Sequence, residues 1–544
     1  MKKILCLLLV FCMLCASVVA CKDNGRDVTD GGEKNGDWKN LDFKGATLTV
    51  SVANNETKKV TFQSASVYTK GPDNEATSEP VQKKVLARNK KVCEDLNMTI
   101  AYQQTRWVNG ETESVLSLLE KLVAGDAADA PDVFNNVCDA MFQGMLNGYF
   151  WNVTSPGADA GGNTVKSYFD LEHDCWYGPY MDGATLSKDK QYILVGDYNI
   201  DIVRWAWVLF VNVDRWDATF GNFTENDSYY SFRNYEAACD FIAGTKDWFF
   251  DDMIALADIA HTDGTDQAGA KDKADLTDEQ IGIFLSPMAS FLLSYYGTGE
   301  SVFAWTKNGK AVGECEGVPG MTDDVSTLVE AGMKFTELYN AKSVYNFPFW
   351  SWTAEQDCIK EFMNGKTIMA TATLGEMESA DMRNTSFKRG ILPPARYSKT
   401  ASDLITMVDT MAEVSVILNN TGNFALASAY LQYVNEESSE ILDFYYEEVL
   451  KFKYNESRGA RKMIDLIIDS VASPCEKLLS LTVSRRAGSE GHMTDEVKDI
   501  EVIFLIDAQK NNPNTSTVRS SYDAQKDVMQ TALNEIYAKF NDLE

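Results

Sequence analysis

Histidine is scarce in this chain. Only His173, His261 and His492 occur among 544 residues, far apart, so no histidine-based metal spacing and no nucleophile–base pairing can be composed from them. Basic charge is short as well: 50 Lys+Arg stand against 80 Asp+Glu, a formal charge of −30. That balance excludes the basic stripe a nucleic-acid partner requires and disfavours phosphate-rich ligands. Seven cysteines beyond Cys21 (Cys93, Cys138, Cys175, Cys239, Cys315, Cys358 and Cys475) are odd in number, widely spaced and without a CxxC. They form no disulfide framework and read as buried free thiols. GxSxG and HExxH are absent. Gly365-Lys366-Thr367 looks like the end of a phosphate loop, but Lys360 stands where the first glycine is needed. In the acidic stretch Asp263 to Asp278, Gly264 comes too early for a calcium loop, which leaves a solvated loop. No metal and no cofactor is expected.

What remains is an ordinary globular composition, 45% hydrophobic and 24% charged, with a generous 27 Phe, 23 Tyr and 11 Trp. The length predicts two to four domain-sized units. The first twenty residues carry Lys2 and Lys3, then an uncharged, mostly apolar run from Ile4 to Ala20, too short for a spanning helix. This is the layout of a secretory signal. Its end, Val18-Val19-Ala20-Cys21, resembles a bacterial lipoprotein lipobox, which implies cleavage before Cys21 and acylation of that residue. An ordinary cleaved signal is the plainer alternative. Residues 21–40, rich in Asp, Gly, Asn and Lys, read as a flexible tether.

The body opens with an alternating strand pattern, Gly45 to Ala53, followed by the polar Asn54-Asn55-Glu56. A helix from Ser78 and Pro80 places Val81, Val85, Val92 and Leu96 on one side, and Met98 to Tyr102 reads as the next strand. A helix over Val115 to Val123, a buried strand over Pro131 to Phe134 and a helix from about Asp139 continue the alternation. The pattern predicts an open α/β sheet, whose ligands bind beyond the strands' carboxyl ends. Arg204 to Asn212 reads as one long strand. Helical stretches then dominate from Asp214 to about Tyr345. A second α/β pattern follows: a helix over Cys358 to Asn364, strands at Thr367 to Ala372, Gly390 to Pro394 and Ala412 to Leu418, and a helix from Gly422 to about Asn435. Asp523 to Phe540 is a helix with Met529, Leu533, Ile536 and Phe540 on its packing face.

In order along the chain, Pro131 to Val153, Glu361 to Ala370, Arg389 to Pro394 and Glu437 to Ser470 resemble segments of the family 1 extracellular solute-binding proteins of bacterial ABC importers. The maltose-binding proteins are the best-known members, and Glu437 to Ser470 is similar to the large sugar-binding lipoproteins of Clostridia-type bacteria. The resemblance implies an α/β, two-lobed, periplasmic-binding-protein type II-like fold with hinge-connected lobes. Lobe 1 would comprise 41–207 plus 413–475, and lobe 2 208–412 plus 476–544. It further implies a non-enzymatic receptor, expected to be monomeric and lipid-anchored through Cys21 on the extracellular face of the cytoplasmic membrane. Such a receptor captures a carbohydrate, expected to be an oligosaccharide, and delivers it to the permease subunits. A surface glycoside hydrolase, or a binder of peptides or other small solutes on the same fold, are the alternatives. Two departures are visible: Thr373-Leu374-Gly375-Glu376 stands where maltose-type binders place a tryptophan pair, and Thr410-Met411 where the Clostridia-type relatives often carry an aromatic.

Sugar recognition needs aromatic faces and planar polar groups that take up hydroxyls in pairs. The stacking candidates are Trp176 and Tyr177 in a Gly-Pro-containing stretch, Trp205 and Trp207 on one face of the crossing strand, and Trp350 and Trp352 in a loop after Pro348; each tryptophan has core packing as its alternative. The polar candidates are Asn54, Asn55, Asn135, Asn136, Asp139, Asp201 and Glu376. Asp139 falls by element order on the acidic position maltose-type binders use, with a helix N-cap as the competing role.

Overall fold

A computed structural model describes residues 38–54, 80–106, 112–125, 130–158, 165–261, 281–286, 295–346, 352–399, 403–453, 457–487 and 517–543. The chain divides into two units, Met1–Trp38 and Lys39–Glu544, and the architecture described here belongs to the second.

Four strands, β1 (Ala46–Asn54), β2 (Met98–Arg106), β3 (Val133–Val137) and β12 (Glu413–Ile417), form a sheet in the order β12-β3-β1-β2. β1 lies parallel to both β2 and β3, with Ala46 opposite Met98. Parallel neighbours require crossover connections, which the helices Pro80–Asp95 and Thr112–Val123 supply. The first of these buries Val81, Val85 and Val92, the face that the sequence spacing selects. β12 returns antiparallel to β3, with Glu413 opposite Val137.

The second sheet joins β4 (Trp207–Asn212), β5 (Ile281–Leu285), β9 (Val344–Asn346), β10 (Thr367–Thr373) and β11 (Arg389–Leu392) in the order β11-β4-β10-β5-β9. Every residue of β4, β5 and β10 is buried, as a sheet covered on both faces demands. The helices Val213–Phe220, Phe250–Ala260 and Trp352–Met363 pack on it. Helix Phe250–Ala260 approaches β5 so closely that a Cβ at Gly282 would stand 2.4 Å from the Ala257 carbonyl oxygen.

Three expectations change. Arg204 to Asn212 is not one strand: Asp201–Arg204 is a helical turn and β4 begins at Trp207, so Trp205 and Trp207 do not share a strand face. The stretch expected to be mainly helical holds β5 and a small antiparallel sheet, β7-β6-β8, of β6 (Phe303–Lys307), β7 (Lys310–Val312) and β8 (Val318–Met321). Its hairpin turns on Asn308 and Gly309, both at positive φ (54° and 73°), which is the conformation an Asn-Gly turn favours. Finally, helix Arg458–Asp469, expected with lobe 1, packs on helix Tyr235–Thr245 and β11 beside the second sheet, because its strongly one-sided apolar face (Ala460, Met463, Ile464, Ile467) is buried there. The C-terminal helix Val518–Asn541 buries Met529, Leu533, Ile536 and Phe540. It touches β8 and the helices Ser326–Asn340, Cys475–Arg486 and Cys138–Leu146.

Candidate functional site

The two sheets meet through three chain segments lying side by side. Ala206 and Val408 form an antiparallel bridge, with Trp207 N donating to Met407 O (2.9 Å) and Asp409 N to Trp205 O (3.0 Å). Val471 bridges Thr406 in parallel, and Ala472 N donates to Thr406 O at 3.0 Å. Trp207, Tyr296 and Met407 form a buried cluster against which Tyr295, Ile405 and Ala472 pack. At this junction β3 ends at Val137 opposite the start of β12, and β10 ends at Thr373 opposite the start of β4. The polar groups of both sheets' ends therefore converge on the crossing segments, the position at which open α/β sheets bind ligands.

Asp139 lies in the first turn of helix Cys138–Leu146, where the helix N-terminus favours a carboxylate. Arg485, from helix Cys475–Arg486, grips it with two parallel bonds of 2.8 and 2.9 Å. Val137 occupies the cap position, so Asp139 is not the cap. Asp409 accepts from Trp207 Nε1 (3.1 Å) and Met411 N (3.0 Å). Burial raises its pKa, partly offset by those two donors and by Lys477, while Asp139 pushes it further up. Replacing Trp207 by Phe keeps most of the apolar contact but removes one donor from this buried carboxylate. We expect a loss of about 1–3 kcal/mol of folding free energy in urea titrations. An unchanged midpoint would show that the bond contributes nothing.

A second constellation centres on Arg204, which is 2% exposed. Its Nη1 donates to Asp201 Oδ1 (2.9 Å) and its Nε to Glu378 Oε1 (3.0 Å). The hydroxyl of Tyr445 donates to the same Glu378 oxygen. Glu378 closes the turn Leu374–Glu378 directly after β10, so this carboxylate links the end of the second sheet to the crossing and to residue 445. Glu413 lies in the same electrostatic neighbourhood. Burial, then the charge of Asp201, push its pKa well above the usual carboxylate range against the pull of Arg204. Burial also raises Asp201, but its direct ion pair opposes the shift. Of the two, Glu413 is pushed further toward its neutral form, and Asp201 is held back by its ion pair with Arg204.

Asn135 and Asn136 are not beyond the strand end but inside β3, fully buried. Asn135 donates to Ser51 O (2.7 Å) and accepts from the Ser415 hydroxyl, which ties three strands together. Asn136 accepts from Val137 N (2.9 Å), while its Nδ2 has no partner among the described residues. Trp176 is 3% exposed, packed edge-on against Phe169 and donating to Gln432 Oε1 at 3.0 Å. The indole is thus turned inward against Gln432 of helix Phe424–Glu436 rather than presented as a platform. Tyr177 shares a hydrogen bond with Tyr446 (2.9 Å). Trp205 caps the helical turn Asp201–Arg204 at the crossing and Trp207 is buried in the cluster just described. Glu376 is buried in the turn after β10. Asn54 ends β1, and Trp352 opens a helix rather than lying in a loop. Cys21, Asn55 and Trp350 lie outside the described residues.

The junction thus gathers Asp139, Asp201, Trp205, Trp207 and Glu376 from the expected set. Sequence reasoning missed Arg204, Glu378, Asp409, Glu413, Tyr445 and Arg485. Only the i, i+3 spacing of Asp201 and Arg204 was available as a signal; the rest converge from distant segments.

No protein-family model matches the chain, and no curated protein matches it. Solved structures do. A cyclic α-maltosyl-1,6-maltose binding protein from Arthrobacter globiformis aligns over 90% of this chain and 100% of its own, at 13% identity and a TM-score of 0.51. The chain has the two-lobed α/β fold of such solute-binding proteins. Two further structures align with TM-scores of 0.49. The maltose-binding periplasmic protein MalE from Listeria monocytogenes, in complex with maltose, is 14% identical over 90% of this chain and 98% of its own. The galacto-N-biose/lacto-N-biose I-binding protein of an ABC transporter from Bifidobacterium longum, in complex with lacto-N-biose, is 12% identical over 91% and 98%.

Proposed function

We propose that this protein is an extracellular receptor that captures a carbohydrate, an oligosaccharide by preference, between its two lobes and delivers it to the permease of an ABC importer. The observation that carries this reading is the junction itself: two α/β sheets direct their strand ends at three crossing segments, where carboxylates, a guanidinium and aromatic rings converge. Such a junction supplies paired acceptors and donors for hydroxyls and a hinge about which lobes close. In this reading Asp139 with Arg485, Asp409 and Glu376 offer the polar contacts, and Trp205 and Tyr295 the apolar ones. The fold shared with a cyclic α-maltosyl-1,6-maltose binding protein supports the carbohydrate class.

We propose further that the chain is a monomer held at the outer face of the cytoplasmic membrane by acylation of Cys21. The lipobox-like Val18-Val19-Ala20-Cys21 supports the acyl anchor. The lobe boundaries we propose are those of the sequence reading, except that helix Arg458–Asp469 belongs to the second lobe and helix Cys475–Arg486, which follows the third crossing and bonds Asp139 through Arg485, to the first.

Titration of the full chain with a panel of plant and host oligosaccharides, followed by calorimetry and tryptophan fluorescence, tests the function. One sugar class should bind with one-to-one stoichiometry and remain intact by chromatography, and Arg485→Ala should weaken it about tenfold or more, since a charge-assisted pair is worth about 1.5–3 kcal/mol. Release of shorter sugars would mean an enzyme. Silence across the panel would move the ligand to peptides or other solutes.

A further inference from the structure

Glu314, Cys315 and Cys475 bring a carboxylate oxygen and two sulfurs within 4.8 Å of one another, although 160 residues separate the cysteines. Both cysteines are buried and the carboxylate is half-buried. The two Sγ atoms stand 3.7 Å apart. Cys315 holds a left-handed backbone (φ 59°), unusual for a residue with a side chain, and its Sγ lies 3.2 Å from the Thr185 carbonyl oxygen. Ser473 fixes the other side: its hydroxyl donates to Glu314 Oε1 and accepts from Cys475 N (3.1 Å), so one residue orients both the carboxylate and the start of helix Cys475–Arg486.

This is the geometry of a ligand set with its outer support already in place. Two sulfurs bound at about 2.3 Å to a tetrahedral ion are about 3.7–3.8 Å apart, and a carboxylate oxygen at about 2.0–2.2 Å fills a third position. A hydrogen-bonded carboxylate is the usual outer-shell device at such centres. The surrounding charge is mixed: Asp182 and Glu476 act on the trio as anions and Glu316 follows it, while Lys188, bound to Glu316 at 2.9 Å, acts on Glu314 as a cation.

We propose that Glu314, Cys315 and Cys475 form a binding site for a thiophilic divalent ion of the Zn²⁺ class, which ties the turn 313–317 to helix Cys475–Arg486. Binding exchanges two thiol protons, released to solvent, for two metal–thiolate bonds, with no change of oxidation state. The helix so anchored follows the crossing at Val471 and Ala472 and carries Arg485, the partner of Asp139.

The test uses the full chain, reduced and freed of metal by chelation, then given Zn²⁺ alone. One equivalent should be retained after dialysis, and Zn²⁺ should protect two thiols from alkylation, mapped by mass spectrometry to Cys315 and Cys475. Cobalt(II) in its place should give a thiolate-to-metal charge-transfer band that Cys315→Ser and Cys475→Ser each abolish and Glu314→Gln weakens. Far-UV circular dichroism and the glycan titration serve as folding controls. Alkylation of these two thiols at the same rate with and without Zn²⁺ would overturn the proposal without needing any variant. So would retention of the equivalent in both serine variants, or a Cys315–Cys475 disulfide in the native chain.

Discussion

Replacing Arg204 by Met should lower the folding free energy by about 3–5 kcal/mol, the range seen when one partner of a buried ion pair is removed. The side chain is 2% exposed and donates to both Asp201 and Glu378, so its loss removes a charged donor from two carboxylates at the junction. Methionine fills most of the volume, which keeps the packing term small. The pH dependence separates charge from shape. Without Arg204 the pKa values of Asp201 and Glu413, both already raised by burial, rise further in the folded state, and a raised carboxylate contributes stability at low pH that is lost as pH rises through its folded pKa. The deficit of the variant should therefore be largest at neutral pH and shrink in acid. Adding Glu378→Gln to Arg204→Met should recover part of the loss, whereas independent sites would simply add. Equilibrium urea unfolding of the four proteins of this cycle measures both; a loss below about 1 kcal/mol, or no recovery in the double variant, would show that the guanidinium is not the electrostatic centre of the junction.

Asp197→Asn should flatten the pH dependence of stability. Asp197 is largely buried, and burial pushes its pKa up to about 7, reinforced by Asp174 and Asp443; the Ser439 hydroxyl, donating at 2.6 Å, pulls the other way. Because the folded value lies above the unfolded value of about 3.9, the neutral carboxyl is the form that suits the fold. Its contribution is complete below about pH 4, declines as pH rises toward 7, and is gone above that. Three units correspond to on the order of 4 kcal/mol. Asparagine keeps the acceptor for Ser439 and cannot ionise, so the variant should match the parent near pH 4 and exceed it by up to about that amount at pH 8. Unfolding free energies at pH 4.5, 6 and 8 decide it. Parallel pH profiles for the two proteins would mean that Asp197 ionises in the folded state without penalty.

Much of the scaffold was determined by the sequence alone, wherever one segment carried both its periodicity and its boundaries. Helix Pro80–Asp95 follows from proline at the first position and valines at helical spacing, and helix Val518–Asn541 from Met529, Leu533, Ile536 and Phe540. β3, β10 and β12 read as strands because short, β-prone runs were bounded by helix or turn signals. Local patterning was weaker at the crossing, where an apolar run from Arg204 to Asn212 concealed a helical turn, and at β6 to β8, where only the Asn308-Gly309 turn marked a hairpin. The junction and the thiol–carboxylate trio were decided by tertiary structure. Asp139 meets Arg485 across 346 residues, Arg204 meets Glu378 across 174, and Cys315 meets Cys475 across 160. Partners so distant leave no mark in local spacing, because their approach is set by how two sheets and three crossing segments pack. The same packing turned Asn135 and Trp176 from expected ligand groups into internal ties: a buried amide or indole N–H is costly unless it finds a partner, and the fold supplied the Ser51 carbonyl to the Asn135 amide and Gln432 to the Trp176 indole.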